Sequence, residues 1–232
     1  MRKILIALVV IFSVFLIYLG FNDKKIYYFS MGDFLSLGIN PYKVLDYGYS
    51  DYVKDYLSSK DILEAYTDSL SRENKRITDI IQDIKDNSKL LVGNKEKTIQ
   101  NVLIKSDLVT ISIGMNDLFS NVSIDYEFTT RDLYNKFDSL LSDYEELFKL
   151  LREYCKEKIV LIGLYNVTDT DLDEFFSYAN NKLNDLCNKY NINYINISED
   201  FKNNKYIDKT SNYPNKKGYE YISNKIINLI EN

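Results

Sequence analysis

Apolar positions along the chain change period in a regular way. Runs of strand length, rich in β-branched and aromatic residues, alternate with stretches whose apolar residues recur at helical spacing. The first run covers residues 25–31 and stops at the sharp Gly32-Asp33 turn. Leu108-Val109-Thr110-Ile111-Ser112-Ile113, ending at Gly114, reads as the central strand. Ile159–Leu164 and Ile192–Ile197 read as further buried strands, and Ile62–Thr67 as a short edge strand. Helices are predicted over Asp51–Leu57, Ile77–Ile84, Lys95–Lys105, Arg131–Lys156, Asp171–Tyr190 and Lys216–Ile230. In the long one, Leu133, Phe137, Leu140, Leu141, Tyr144, Phe148 and Leu151 mark the buried face. This alternation predicts an α/β fold in three layers, α/β/α, around a five-stranded parallel sheet of order 2-1-3-4-5.

Residues 1–23 depart from the alternation. Arg2 and Lys3 precede an uncharged apolar run, Ile4–Phe21, which Asn22-Asp23-Lys24-Lys25 closes. As a helix that run is about 27 Å long, enough for a hydrocarbon core. Its exit, Tyr18-Leu19-Gly20-Phe21, lacks the small residues of a cleavage site. The run therefore reads as an uncleaved signal-anchor transmembrane helix. Its positive end stays in the cytoplasm, and residues 24–232 form one extracytoplasmic domain.

A net charge of −5 with no basic stripe argues against nucleic acid as a partner. The chain has 0 His, so no step can use imidazole as base, metal ligand or pH switch. Cys155 and Cys187 do not suffice for a tetrahedral zinc site, and on apolar helix faces they read as small core residues rather than a disulfide. A metal centre with several soft ligands is thereby excluded and an oxygen-ligated Mg²⁺ or Ca²⁺ site is not; no metal and no cofactor is expected.

Three short motifs fall at strand ends or just before the last helix. Gly32-Asp33-Phe34-Leu35-Ser36-Leu37-Gly38 follows the first strand, and Ile113-Gly114-Met115-Asn116-Asp117 follows the central one. Tyr213-Pro214-Asn215-Lys216-Lys217-Gly218-Tyr219 enters the last helix. Each alone is ordinary turn chemistry. In this order on an α/β frame, they resemble the SGNH, or GDSL, hydrolase (lipase/acylhydrolase) family, over about residues 25–230. The resemblance implies the flavodoxin-like SGNH hydrolase fold. It also implies a Ser nucleophile, a His base oriented by an Asp, and an oxyanion hole made by the Ser and Gly backbone N–H groups and an Asn side chain. On this chain the Ser position falls on Phe34, the His on Tyr213 and the Asp on Thr210. The oxyanion-hole positions fall on Phe34, on Asn74 in place of the Gly, and on Asn116. Asp33, Ser36, Asp117 and Tyr213 are expected to line the pocket.

Phe34 offers neither donor nor acceptor, and a phenol titrating near ~10 is a poor base at neutral pH. The resemblance then implies a catalytically degenerate protein, anchored in the membrane through residues 4–21. It would bind an acyl or glycan ligand of the envelope, or a protein partner. Two alternatives stay open. One is an active esterase or acylhydrolase using shifted residues, Ser36 or Ser30 with Lys209 or Lys216. The other is a closed pocket, with Phe34 and Tyr213 collapsed over Asn116. The loop carrying Asn40, Pro41, Tyr42, Tyr47, Gly48 and Tyr49 lies beside the same face. Its tyrosines either stack on sugars, line an acyl groove, or pack the loop onto the body.

Overall fold

The computed structural model describes residues 24–119, 129–167, 171–203, 205–208, 211 and 213–231. The expected anchor helix at residues 1–23 lies outside them, as do Lys209 and Thr210. No helix among the described residues is long and apolar enough to cross a membrane.

Strands β1 (Ile26–Gly32) and β2 (Leu63–Thr67) are followed by a hairpin, β3 (Lys89–Val92) and β4 (Lys95–Thr98). Next come β5 (Leu108–Ser112), β6 (Lys158–Ile162) and β7 (Asn193–Ile195). The main sheet is parallel throughout, in the order β2-β1-β5-β6-β7. Leaving out the hairpin, this is the predicted order. Every residue of β5 is buried, as a central parallel strand covered on both faces requires. Its register sets Ser112 opposite Gly32 and Ile162, so the turns after β1, β5 and β6 emerge at one edge of the sheet.

The helices are α1 (Phe34–Leu37), α2 (Tyr49–Ser59), α3 (Ile77–Lys85), α4 (Ile99–Lys105), α5 (Met115–Phe119), α6 (Thr130–Tyr154), α7 (Asp173–Lys189), α8 (Ser198–Asn203) and α9 (Lys216–Glu231). A capping box opens α6: Thr129 Oγ1 accepts from Asp132 N–H, and the Asp132 carboxylate accepts from Thr129 N–H. The faces carrying Phe137, Tyr144, Phe148 and Leu151 on α6, and Tyr219, Ile222 and Ile226 on α9, enter the core as predicted.

One predicted element is corrected. The helix expected over Lys95–Lys105 starts at Ile99, because Lys95–Thr98 pairs back onto Lys89–Val92 across Gly93. Gly93 takes the left-handed backbone (φ +57°) that this tight turn demands, and a turn of Gly and Asn closes a hairpin readily. The Lys-Glu-Lys-Thr segment also lacks an apolar helical face to bury. Short α1, α5 and α8 span too few residues for a period to show, and no pattern predicted them.

Cys155 and Cys187 are buried and unbridged, the core role expected of them. Burial pushes the Cys187 thiol up to about 12, which makes it inert.

Candidate functional site

The site is built where β1 and β5 end. Gly32 has φ +139°, and a Cβ there would lie 1.9 Å from Ser112 O, so only glycine lets the two strands approach. The chain then turns into α1, with Asp33 as its N-cap. Asp33 Oδ1 accepts from Leu35 N–H at 3.1 Å and from Ser112 Oγ at 3.0 Å. Its Oδ2 is buried with no partner among the described residues. Burial pushes the Asp33 carboxyl up to about 7, against those two hydrogen bonds.

Gly114, at the end of β5, repeats the device with φ +111°. Its missing Cβ leaves room for the Tyr144 hydroxyl, which donates to Ile113 O at 2.6 Å. The turn aims Asn116 and Asp117 at the loop preceding α3. Asn116 Nδ2 donates to Glu73 O at 2.7 Å and to Lys75 O at 2.9 Å. An amide NH₂ holds two hydrogens, so both are committed. Asp117 accepts from Ile77 N–H, the first backbone donor of α3. Burial raises the Asp117 carboxyl to about 6, opposed by that hydrogen bond.

Tyr213 reaches the same place from the loop before α9. Its ring meets Phe34 edge-on, centroids 5.0 Å apart at 76°. Its hydroxyl donates to Glu73 Oε1 at 3.2 Å. Burial first, then the Glu73 charge, pushes the phenol up to about 12. Phe34, Met115, Asn116, Phe119, Val167, Ser211 and Tyr213 line a recess of about 230 Å³.

Phe34, Asn116 and Tyr213, which the motifs placed together, do meet at this recess. Asn74 does not line it. It sits on an adjoining groove with Arg72, Glu73 and Lys75, between the two carbonyls that Asn116 holds. The backbone N–H groups of Phe34 and Asn74 take no acceptor among the described residues. Asp33, Ser36 and Asp117 lie behind the recess lining, not on it. Ser36 is fully buried, its hydroxyl donating to Met31 O at 2.6 Å and lying 2.9 Å from both Tyr49 Oη and Ser112 Oγ. Ser30 is also fully buried. Thr210 lies outside the described residues.

Sequence reasoning missed Glu73 as the partner of Tyr213, and Phe119, Val167 and Ser211 as lining. Phe119, Val167 and Ser211 stand outside the quoted motifs, and Glu73 is one residue from Asn74 with no pattern to mark it. Among the described residues, no three His, Cys, Asp or Glu side chains gather as metal ligands.

Solved structures share this architecture. An acetylxylan esterase from Geobacillus stearothermophilus, Axe2, superposes with a TM-score of 0.64 at 12% identity, over 89% of this chain and 93% of that one. The acetyl xylan esterase AlAXEase superposes with a TM-score of 0.60 at 16% identity, over 88% of this chain and 98% of that one. At such identities the likeness establishes the fold. No curated protein matches the chain. The sequence profile of the GDSL-like lipase/acylhydrolase family matches residues 44–221, a stretch that takes in the Gly114-Met115-Asn116-Asp117 turn and the entry to α9. Most of the chain thus carries the family's sequence pattern on a sheet of the expected order, and it belongs to the GDSL-like lipase/acylhydrolase family.

Proposed function

We propose that this chain is a non-hydrolysing member of its family. It is held at a membrane by the apolar run at residues 4–21 and works in binding or assembly on the extracytoplasmic side of the cell envelope. The observation that carries this reading is the Phe34–Tyr213 ring pair, closed over the place where the motifs put nucleophile and base. Phe34 has no attacking atom. Tyr213, pushed up to about 12, keeps its proton at neutral pH and so holds almost none of the phenolate that a general base needs. Loss of either nucleophile or base in a comparable triad costs roughly 10⁶-fold in rate. The oxyanion donor expected of Asn116 is spent on two carbonyls. Ser36 and Ser30, the nearest substitutes, are sealed in the core.

A second reading, an esterase with a displaced nucleophile, has one observation in its favour. Ser211 lines the recess, with its hydroxyl 3.5 Å from Asp208 Oδ1. The acetylxylan esterase fold of the structural neighbours names the substrates to try. The purified full chain is assayed in detergent with p-nitrophenyl acetate and acetylated xylo-oligosaccharides. No turnover above buffer is expected. Turnover that Ser211→Ala abolishes would overturn the non-hydrolysing reading. Tethering is tested by an alkaline carbonate wash of membranes: the full chain stays in the pellet and a chain lacking residues 1–23 does not. Release of the full chain would sink it.

A further inference from the structure

A second cleft, of about 590 Å³, opens beside the loop that follows α1. It shares no lining residue with the Phe34–Tyr213 recess. Described residues of the loop before α9 face both: Ser211 and Tyr213 line the recess, Asp208 and Asn215 the cleft. The volume falls within the roughly 300–1,000 Å³ of small-ligand sites.

The lining combines rings and charges. Tyr42 is 86% exposed and Tyr47 39% exposed, and Tyr47 meets Tyr52 edge-on with centroids 4.7 Å apart. The hydroxyls of all three take no partner among the described residues. Asp46, Asp208 and Lys216 stand among them. The loop presenting the rings is held in place. Asn40 Oδ1 accepts from Tyr42 N–H at 2.9 Å and Val44 N–H at 3.2 Å, and its Nδ2 donates to Asp46 Oδ2 at 3.0 Å. Asp46 N–H in turn donates to Gly38 O at 2.9 Å. A backbone held by such bonds loses little freedom when a ligand arrives.

The chemistry selects the occupant. An acyl chain would take the charged groups of Asp46, Asp208 and Lys216 out of water and offer them no hydrogen bond in return. A polyanion would meet two carboxylates on a chain of net charge −5. A pyranose has flat C–H faces for the rings and a rim of hydroxyls that give hydrogen bonds to carboxylates and phenols. We propose that this cleft binds a neutral oligosaccharide, with Tyr42 as the stacking platform, Tyr47 and Tyr52 as the wall, and Asp46 and Asp208 as hydroxyl acceptors. The proposal holds whether or not the recess hydrolyses an ester, and its test is independent of the esterase assay.

The test is calorimetry on the full chain in detergent micelles, titrated with xylohexaose, cellohexaose, chitohexaose and maltohexaose. At least one is expected to bind, and Tyr42→Ala and Tyr47→Ala each to weaken it about three- to tenfold. Ile104→Ala, which removes an exposed apolar side chain elsewhere, is expected to leave binding unchanged. Tyr42 is almost wholly exposed, so its truncation leaves the fold intact, and far-UV circular dichroism verifies that. Absence of binding to every probe overturns the proposal. So does binding that is unaffected in both tyrosine variants, or weakened equally by Ile104→Ala.

Discussion

Asp33→Asn isolates the electrostatic cost stored at the strand-end turn. Burial lifts the native Asp33 carboxyl from its ordinary 3.8 to about 7. Below about pH 3.8 both the native and unfolded chains are protonated there, and above about pH 7 neither is. Between those limits only the native chain keeps the proton, so stability falls as pH rises. From about pH 5 to about pH 8 the loss at this one group is about 3 kcal/mol, at 1.36 kcal/mol per pH unit. Asp117, raised to about 6, adds a loss of the same sign, about 1 kcal/mol over that window. Asp33 and Asp117 repel each other, and the hydroxyls of Tyr144, Tyr165, Tyr213 and Tyr219 also lie within electrostatic reach of Asp33. Those phenols stay neutral throughout the window. The chain has 0 His, so no imidazole titrates there either. Glu145, which Lys189 and Tyr190 hold down at about 2, contributes stability that is fully present above about pH 5 and is lost only in stronger acid.

Asparagine resembles the protonated carboxyl: its Oδ1 keeps both hydrogen bonds and it carries no charge. The assay is urea unfolding followed by far-UV circular dichroism at the two pH values. The parent chain is expected to lose about 4 kcal/mol between them and Asp33→Asn only about 1 kcal/mol. A parent stability that is flat or rises across the window would refute the reasoning. An Asn effect of equal size at both pH values would refute it too.

Two further substitutions probe the same turns. Asn116→Ala strips the carbonyls of Glu73 and Lys75 of their donor and is expected to cost about 2 kcal/mol in urea unfolding. A cost near zero would mean that water or another donor replaces the amide. Gly114→Ala would set a Cβ 1.9 Å from the Tyr144 hydroxyl at φ +111°, and a loss above about 4 kcal/mol is expected. Adding Tyr144→Phe to it relieves the contact with the hydroxyl, so it should recover part of the loss. No recovery would assign the whole effect to the backbone.

Much of the fold was legible because it rests on local repetition. The β-branched run Leu108–Ile113 has few environments open to it other than the middle of a covered parallel sheet, and β5 is buried along its whole length. The face of α6 was equally plain, since seven apolar residues spaced over several turns leave one way to pack. The hairpin β3–β4 is hidden from local pattern because its second strand is charged and runs straight into α4. At the site, the motifs group Phe34, Asn74, Asn116 and Tyr213; Phe34, Asn116 and Tyr213 line one recess and Asn74 the groove beside it.

By itself the sequence determined the strand order and the positions of the Gly32 and Gly114 turns, and it set Phe34 and Tyr213 where the family resemblance expects Ser and His. Those follow from patterns and residue types that act within a few neighbours. Only the tertiary structure decided how the polar groups there are spent. The Tyr213 hydroxyl finds Glu73 across 140 positions of chain, and Asn116 gives both its hydrogens to carbonyls about 40 positions away. Whether Ser36 is a spare nucleophile or a sealed core hydroxyl likewise depended on Tyr49 and Ser112 arriving from other elements. A hydrogen-bonding group's chemistry is set by which partners reach it, and those partners are chosen by the packing of distant segments rather than by local pattern.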